Sequence, residues 1–423
     1  MKNEFSEDLI QPQLRFNSFK DNWNKSKLMD ICIIQDGTHS RPNYVEQGIP
    51  FFSVETIINN VPPKFISKEE HEKLIKRCCP KKGDILLTRI TGGILGYSKL
   101  VDWEYEFSIY VSLALLSSIR INPRYLNQYL KTSIYRNDFL SKSLLIATPP
   151  KINLNDLSKT KVSYPSFEEQ EKIATFLEKI DKKIELLEKK HANYKNYIKS
   201  LKFQLFGDGK NTPLFRLSNF DEKWEEKSIE ELFDKITDYV AAGSFAELKK
   251  NVQYIKEKDY AQLIRTIDLK NEFRNDDFVY VDKKAFEYLW RVNLEEKCIV
   301  LPNIGTNIGE IYLVNPQILP YENNVLGPNA ILLKSVNEIE FKYHLLNSGY
   351  FRYQLNIINE STGAGKFNKT NLKKIKFLVP KSQEERNEIG NFITMLDKKL
   401  DLIGNELNIY KDFKKGLLQK MFI

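Results

Sequence analysis

The chain has 423 residues, 42% of them hydrophobic, and its 64 Lys and Arg against 56 Asp and Glu give a net charge of +8. That much apolar material can bury two or three cores and excludes a disordered chain. No apolar run approaches the roughly 20 residues of a membrane span, and the opening MKNEFSEDLIQPQLRF has acidic residues where a secretory signal needs an apolar stretch, so a soluble, cytoplasmic protein is expected. Cys32, Cys78, Cys79 and Cys298 show neither C-x-x-C spacing nor histidine pairing, which points to reduced structural thiols and no zinc site. The cationic excess lies in residues 1–206, with 32 Lys and Arg against 24 Asp and Glu, while residues 207–423 balance at 32 against 32. A modest basic excess fits a nucleic-acid or acidic partner without selecting one.

In chain order, an entry segment over residues 1–20 contains LRFNSF, with Trp23 just beyond it. A mixed domain follows over 21–150, containing GDILLTRITGGILG (Gly83 to Gly96), and then a connecting strand over 151–165 that ends in Pro165. Ser166, with Glu169 three places on, has the spacing of a capping box and opens a helix over 166–206. Gly207 stops that helix, and 207–220 reads as a linker.

The same order then returns. Arg15, Phe19 and Trp23 recur as Arg216, Phe220 and Trp224, GDILLTR has a looser counterpart in KCIVLPN (Lys297 to Asn303), and PKINLNDLSKTKVSYP matches GKFNKTNLKKIKFLVP. A second mixed domain is therefore expected over 221–365, a connecting strand over 366–381 and a second helix over 382–423, opened by Ser382 and Glu385.

Within the helices, Ile173, Leu177, Ile180, Ile184, Leu187, His191, Tyr194, Ile198, Leu201 and Leu205 alternate by four and three. So do Ile389, Ile393, Leu396, Leu400, Ile403, Leu407, Tyr410, Lys414, Leu417 and Met421. These are heptad seams broken only by His191 and Lys414. Neither helix can bury its stripe alone, so the two are expected to pair antiparallel. The fold class expected is α+β: two similar globular α/β domains separated by two long antiparallel coiled-coil helices, a pseudo-two-fold internal repeat.

Motifs for catalysis are missing. GDGKNT (Gly207 to Thr212) and GAGKF (Gly363 to Phe367) lack the glycine spacing and the Ser or Thr of a phosphate-binding loop, and GTNIG is too short for a dinucleotide fingerprint. NPRY (Asn122 to Tyr125) and NPQI (Asn315 to Ile318) lack the second proline with which amino-methyltransferases hold a flipped base, and His39, His71, His191 and His344 are isolated. A self-sufficient methyltransferase or nuclease is thus disfavoured.

The doubled series GDILLTR, PPKINLNDLSKTKVSYP and EEQEKIATFLEKIDKKIELL, with its aromatic entry, resembles the specificity (S) subunit of type I restriction-modification systems over nearly the whole chain. The resemblance implies two target recognition domains, each reading one half of a split site in double-stranded DNA, and helices 166–206 and 382–423 that serve as spacer and docking surface. It implies a subunit without catalytic activity or cofactor of its own. Its partners would be methyltransferase (M) subunits, two in number, that use S-adenosylmethionine, and restriction (R) subunits that use ATP and Mg; no membrane is involved. The second copy departs from the pattern at Lys297, Cys298 and Asn303, where the first has Gly83, Asp84 and Arg89, which argues against a shared role for that loop.

Base reading requires Arg or Lys against guanine and Asn or Gln against adenine, with further cations on phosphates. Candidates in the first domain are His39, Arg41 and Asn43 in DGTHSRPNY, Arg89 at a strand end, and Lys64, Lys99 and Lys151 for phosphates. In the second domain they are Arg265, Arg274, Asn303, Asn307 and Lys366. The competing expectation is a coiled-coil protein scaffold that does not bind DNA.

Overall fold

A computed structural model of the protein describes residues 11–59, 61–207, 213–217, 220–305, 307–362 and 366–423. Half of the linker at 207–220, both loops that imitate a phosphate-binding motif, and the expected domain end at Gly365 lie wholly or partly outside the described residues. The chain forms two compact units, one of residues 1–189 with 405–423 and one of residues 190–404.

The first unit is built on a four-stranded antiparallel sheet in the order Ile33–Asp36, Leu113–Ser117, Ile85–Thr88, Ser98–Leu100. The two central strands, LALLS and ILLT, are apolar on both faces because both faces are covered. Ile85, Leu87, Ala114 and Leu116 turn to one core, and Leu86, Leu113 and Leu115 to another. The strand period of two thus divides one apolar run between two cores. A second sheet runs Tyr44–Val45, Lys64–Ile66, Ile49–Phe52, Ser108–Ile109, its last pair parallel.

The second unit repeats the plan. Its antiparallel sheet runs Lys235–Asp238, Ala330–Lys334, Cys298–Pro302, Tyr312–Val314. Ile299, Leu301, Ile331 and Leu333 face one core and Cys298, Val300, Ala330 and Leu332 the other. Beside it Tyr280–Val281 pairs antiparallel, and Asn324–Leu326 parallel, with Ala261–Ile264. Each connecting strand pairs with a strand just after the aromatic entry: Lys161–Tyr164 with Asn24–Lys27, and Lys376–Val379 with Glu225–Ser228.

The long helices are Phe167–Phe206 and Gln383–Lys420. Each gives one half of its length to each unit, and within each unit the halves run antiparallel. In the first unit Lys183 pairs with Glu406 at 2.9 Å, Glu188 with Lys411 at 2.7 Å, and Asp181 with Lys414. In the second unit Lys202 pairs with Asp397 at 2.8 Å. Of the seam, Ile173, Leu177, Ile180, Leu187, Ile198, Leu201 and Leu205 are buried, as are Ile389, Ile393, Leu396, Ile403, Leu407, Leu417 and Met421. Ile184 and Leu400 are half-buried. The two breaks in the seam are accommodated: the imidazole of His191 lies over Gly404, where a Cβ would stand 3.5 Å from Nε2, and the Lys414 ammonium reaches Asp181.

One expectation fails at the helix starts. Ser382 Oγ accepts from the Glu385 amide at 3.3 Å, but the Glu169 and Glu385 carboxylates do not complete capping boxes. Arg15 donates from Nε and Nη2 to Glu169 at 2.8 and 2.7 Å, and Arg216 donates to Glu385 at 2.9 and 2.6 Å, joined by Trp224 Nε1 at 3.3 Å. Both carboxylates are buried. The repeated Arg of the entry segment is therefore the lock that closes each connecting strand onto its helix, joined by the Trp in the second copy. Phe422 likewise enters the first core against Trp23, Tyr125 and Tyr129.

Glu169→Ala should lower the unfolding free energy by about 3 kcal/mol by stranding Arg15 in a desolvated site, and adding Arg15→Ala should restore part of it. Urea denaturation of the four-member cycle checks this.

A second expectation concerns acid. His344 on the helix Ile339–Leu346 is buried, its Nε2 lies 2.8 Å from Thr394 Oγ1, and burial with nearby Lys202 pulls its pKa down to about 3. Asp397, 3.7 Å from Nδ1, does not offset this. Below pH ~6.5 the unfolded chain takes up a proton that the folded ring refuses, so stability that is full above pH 6.5 falls as pH drops toward 3. Urea titrations at pH 7.5 and 5 should show about 2 kcal/mol more loss for the wild type than for His344→Gln.

Candidate nucleic-acid interface

Strand register makes the two units superposable residue by residue at one sheet end. Leu116 is paired with Ile34 and Ile85, as Leu333 is with Ile236 and Ile299. Asp36 thereby corresponds to Asp238, Arg89 to Asn303, and Ser112 to Asn329. At this end each unit opens a groove, of about 400 Å³ in the first and about 610 Å³ in the second. In both, the walls are the loop after strand Ile33–Asp36 or Lys235–Asp238, the residues after Arg89 or Asn303, and Ser112 or Asn329.

In the first unit the loop DGTHSRPNY is laid against strand Ser108–Ile109: Thr38 N donates to the Ile109 carbonyl at 3.1 Å and Val111 N to that of Thr38 at 2.9 Å. Only glycine fits at position 37, since a Cβ there would stand 1.9 Å from the Ile109 oxygen. Buried Asp36 then gathers three cationic or ring groups: Arg77 Nη2 at 2.6 Å, Arg89 Nη1 at 3.1 Å and His39 Nε2 at 3.0 Å. Beyond this hub Arg41 and Asn43 are exposed. The Arg41 guanidinium stands 5.7 Å and the Lys64 ammonium 4.7 Å from the Tyr44 ring centre, two cations against one aromatic ring. Arg41, Tyr44 and Lys64 line the groove with Glu55, Thr91 and Ser112.

The other sequence candidates are distributed unevenly. Arg89 is not a free base reader: burial depresses its pKa, with Asp36 opposing, and it donates to the carbonyls of Val111 at 2.9 Å and Ile152 at 3.3 Å. Asn303 does the same work in the second copy, donating from Nδ2 to the Phe367 carbonyl at 3.0 Å while the amides of Ile152 and Phe367 donate to the carbonyls of residues 89 and 303. The two loops therefore share a role, contrary to the expectation drawn from the Arg-to-Asn difference. Lys99 stands 5.7 Å from the Trp103 ring and Lys151 is half-buried between backbone bonds to Leu144.

In the second unit Arg265 closes its own turn, bound to Asp268 at 2.7 Å and Asp277 at 3.3 Å, and the first of these carboxylates holds its pKa up. Arg274 is exposed and paired with Glu272. Asn307 is buried and accepts from Lys270 at 2.6 Å. Lys366 is exposed, and its backbone bridges to Ile304. Of the candidates there, only Asn303 lines the groove.

Sequence reading missed the groove's own side chains: Tyr44 and Glu55 in the first unit, and Val240, Phe245, Tyr254 and Asn329 in the second. One signal was present, because Ser244 and Glu247 form a true capping box that starts the helix Phe245–Asn251 and so projects Phe245. NPRY and NPQI, in contrast, are asparagine caps: Asn122 accepts from the Arg124 and Tyr125 amides, and Asn315 from that of Gln317. Among the described residues no cluster of three or more His, Cys, Asp or Glu could hold a metal, and no helix is long and apolar enough to cross a membrane.

The model of the type I restriction modification DNA specificity domain matches this chain twice, over residues 20–195 and 221–409. A Mycoplasma pneumoniae protein described provisionally as a type I specificity subunit is 24% identical over 399 residues, 92% of each chain. The S subunit of a type I restriction-modification system from M. genitalium has the same fold, with a TM-score of 0.63 at 18% identity over 98% of this chain and 99% of its own. A chain from a structural study of assembly and conformational transition in a type I system gives 0.52 at 12% identity, over 95% and 97%. With two matched domains covering most of its length, the chain belongs to the type I restriction-modification specificity subunit family, whose domains recognise DNA targets.

Proposed function

We propose that the chain reads a bipartite DNA target, one half-site per recognition domain, and directs partner subunits to it. The observation that carries this is the pair of grooves at equivalent sheet ends: the frame repeats residue by residue, down to the Arg89 and Asn303 clamps, while the walls differ. A conserved frame with divergent walls suits two readers of two different sequences. Catalysis resides in the partners: methyltransferase subunits, two per chain in keeping with the internal repeat, that bind S-adenosylmethionine, and restriction subunits that use ATP and Mg. The long helices supply the spacer and the docking surface for the methyltransferase subunits.

Selection from a random duplex library by the chain with its methyltransferase subunits should enrich two short sequences at a fixed separation; failure to enrich any split motif sinks the proposal. Affinity should fall steeply with salt, since each neutralised phosphate steepens the salt slope by roughly 0.9. Deleting seven residues from both long helices in register shortens each by about 10 Å and should narrow the gap by about three base pairs with both half-sequences kept. An unchanged gap would refute the spacer role.

A further inference from the structure

The walls of the two grooves differ in a way that maps onto base pairs. In the major groove a G·C pair offers two acceptors on guanine and an amino donor on cytosine, so an Arg beside a carboxylate matches it. An A·T pair offers the thymine methyl group and an acceptor and donor on adenine, matched by an apolar side chain beside a carboxamide.

The first groove is lined by exposed Arg41 and Glu55, together with Lys64. Arg41 has no carboxylate within ion-pair distance among the described residues, unlike Arg77, Arg89 and Arg124, which are held by Asp36 or Glu178. Its guanidinium lies near the Tyr44 ring, a contact that limits its rotamers while leaving its donors open. The second groove has a different lining. Phe245 is 82% exposed at its rim, more than any other aromatic residue among the exposed large hydrophobics, and Val240 is 45% exposed beside it. Asn329, exposed and at φ +69°, presents a carboxamide on the wall where the first groove has Ser112.

We infer that the first domain's half-site contains a guanine read by Arg41 with Glu55 facing its cytosine, and that the second domain's half-site contains a thymine whose methyl group packs on Phe245, with Asn329 facing adenine. This rests on the DNA-reading assignment above. The apolar rim of the second groove is then a reader of methyl groups, and its exposure in the free protein follows from that use. The charged pair of the first groove stays hydrated until DNA arrives.

The test is library selection with the full chain and its methyltransferase subunits, for the wild type, Arg41→Ala, Arg41→Gln and Phe245→Ala. All three changes are at exposed positions outside the cores, and circular dichroism verifies folding. Wild type should select a guanine in one half-site. Arg41→Ala should reduce that preference on the order of ten- to a hundredfold, and Arg41→Gln should move it toward adenine at the same position. Phe245→Ala should relax a thymine in the other half-site. Variants that select the wild-type motif unchanged, or Arg41 and Phe245 effects in the same half-site, overturn this inference while leaving bipartite reading standing. Absence of any motif in the wild type overturns the DNA-reading assignment itself.

Discussion

Two amphipathic stripes, each too long and too apolar to stand in water, constrain everything else in this protein. A buried Leu or Ile contributes about 1.5–3 kcal/mol relative to exposure, so the eight Leu or Ile of one seam and the seven of the other demand a partner along most of each helix. Because each helix lies at the end of its own repeat, the stripe is satisfied when half of it pairs with half of the other. The carboxy-terminal residues, 405–423, accordingly complete the first unit, with Leu417, Met421 and Phe422 inside its core. A unit of this chain is not a continuous stretch of sequence.

The buried Arg15–Glu169 and Arg216–Glu385 pairs follow from that arrangement. A helix that must leave one core for another needs its first turn held at a defined angle, and a bidentate guanidinium does this in a way a single cap bond does not. Both carboxylates are inaccessible, so each pair is a geometric specification more than a source of net stability. The connecting strands, paired with the strands just after the entry segments, bring the arginines there.

The grooves at the sheet ends illustrate how a duplicated frame diverges. Backbone bonds around residues 89 and 303 are the same in both copies, and the side chains there, Arg and Asn, hold the same carbonyl although one is long and charged and the other short and neutral. The frame tolerates that exchange because either side chain supplies an N–H donor at the required place. The loops that form the walls carry no such obligation, and they differ in length, charge and aromatic content.

The sequence by itself determined the duplication, the heptad seams and where the long helices start, since these are local periodicities and spacings that burial must respect, while the class of function followed from the resemblance of its doubled series to type I specificity subunits. Arg41 and Lys64, read from the sequence as separate candidates, line one groove in the structure. What only the tertiary structure decided was which cations stay available: Arg89 and Arg265 look identical to Arg41 in a string of letters, yet Asp36 and Asp268 consume them. The capping boxes read at Glu169 and Glu385 met the same fate, because arginines 154 and 169 residues away compete for those carboxylates. The groove linings bring Arg41 and Glu55 together with Thr91 and Ser112, and Phe245 together with Asn329, from segments far apart in the chain, and no local pattern records that they meet. Pairwise electrostatics and loop packing act through space, whereas periodicity acts along the chain, and only the second is written in the order of the residues.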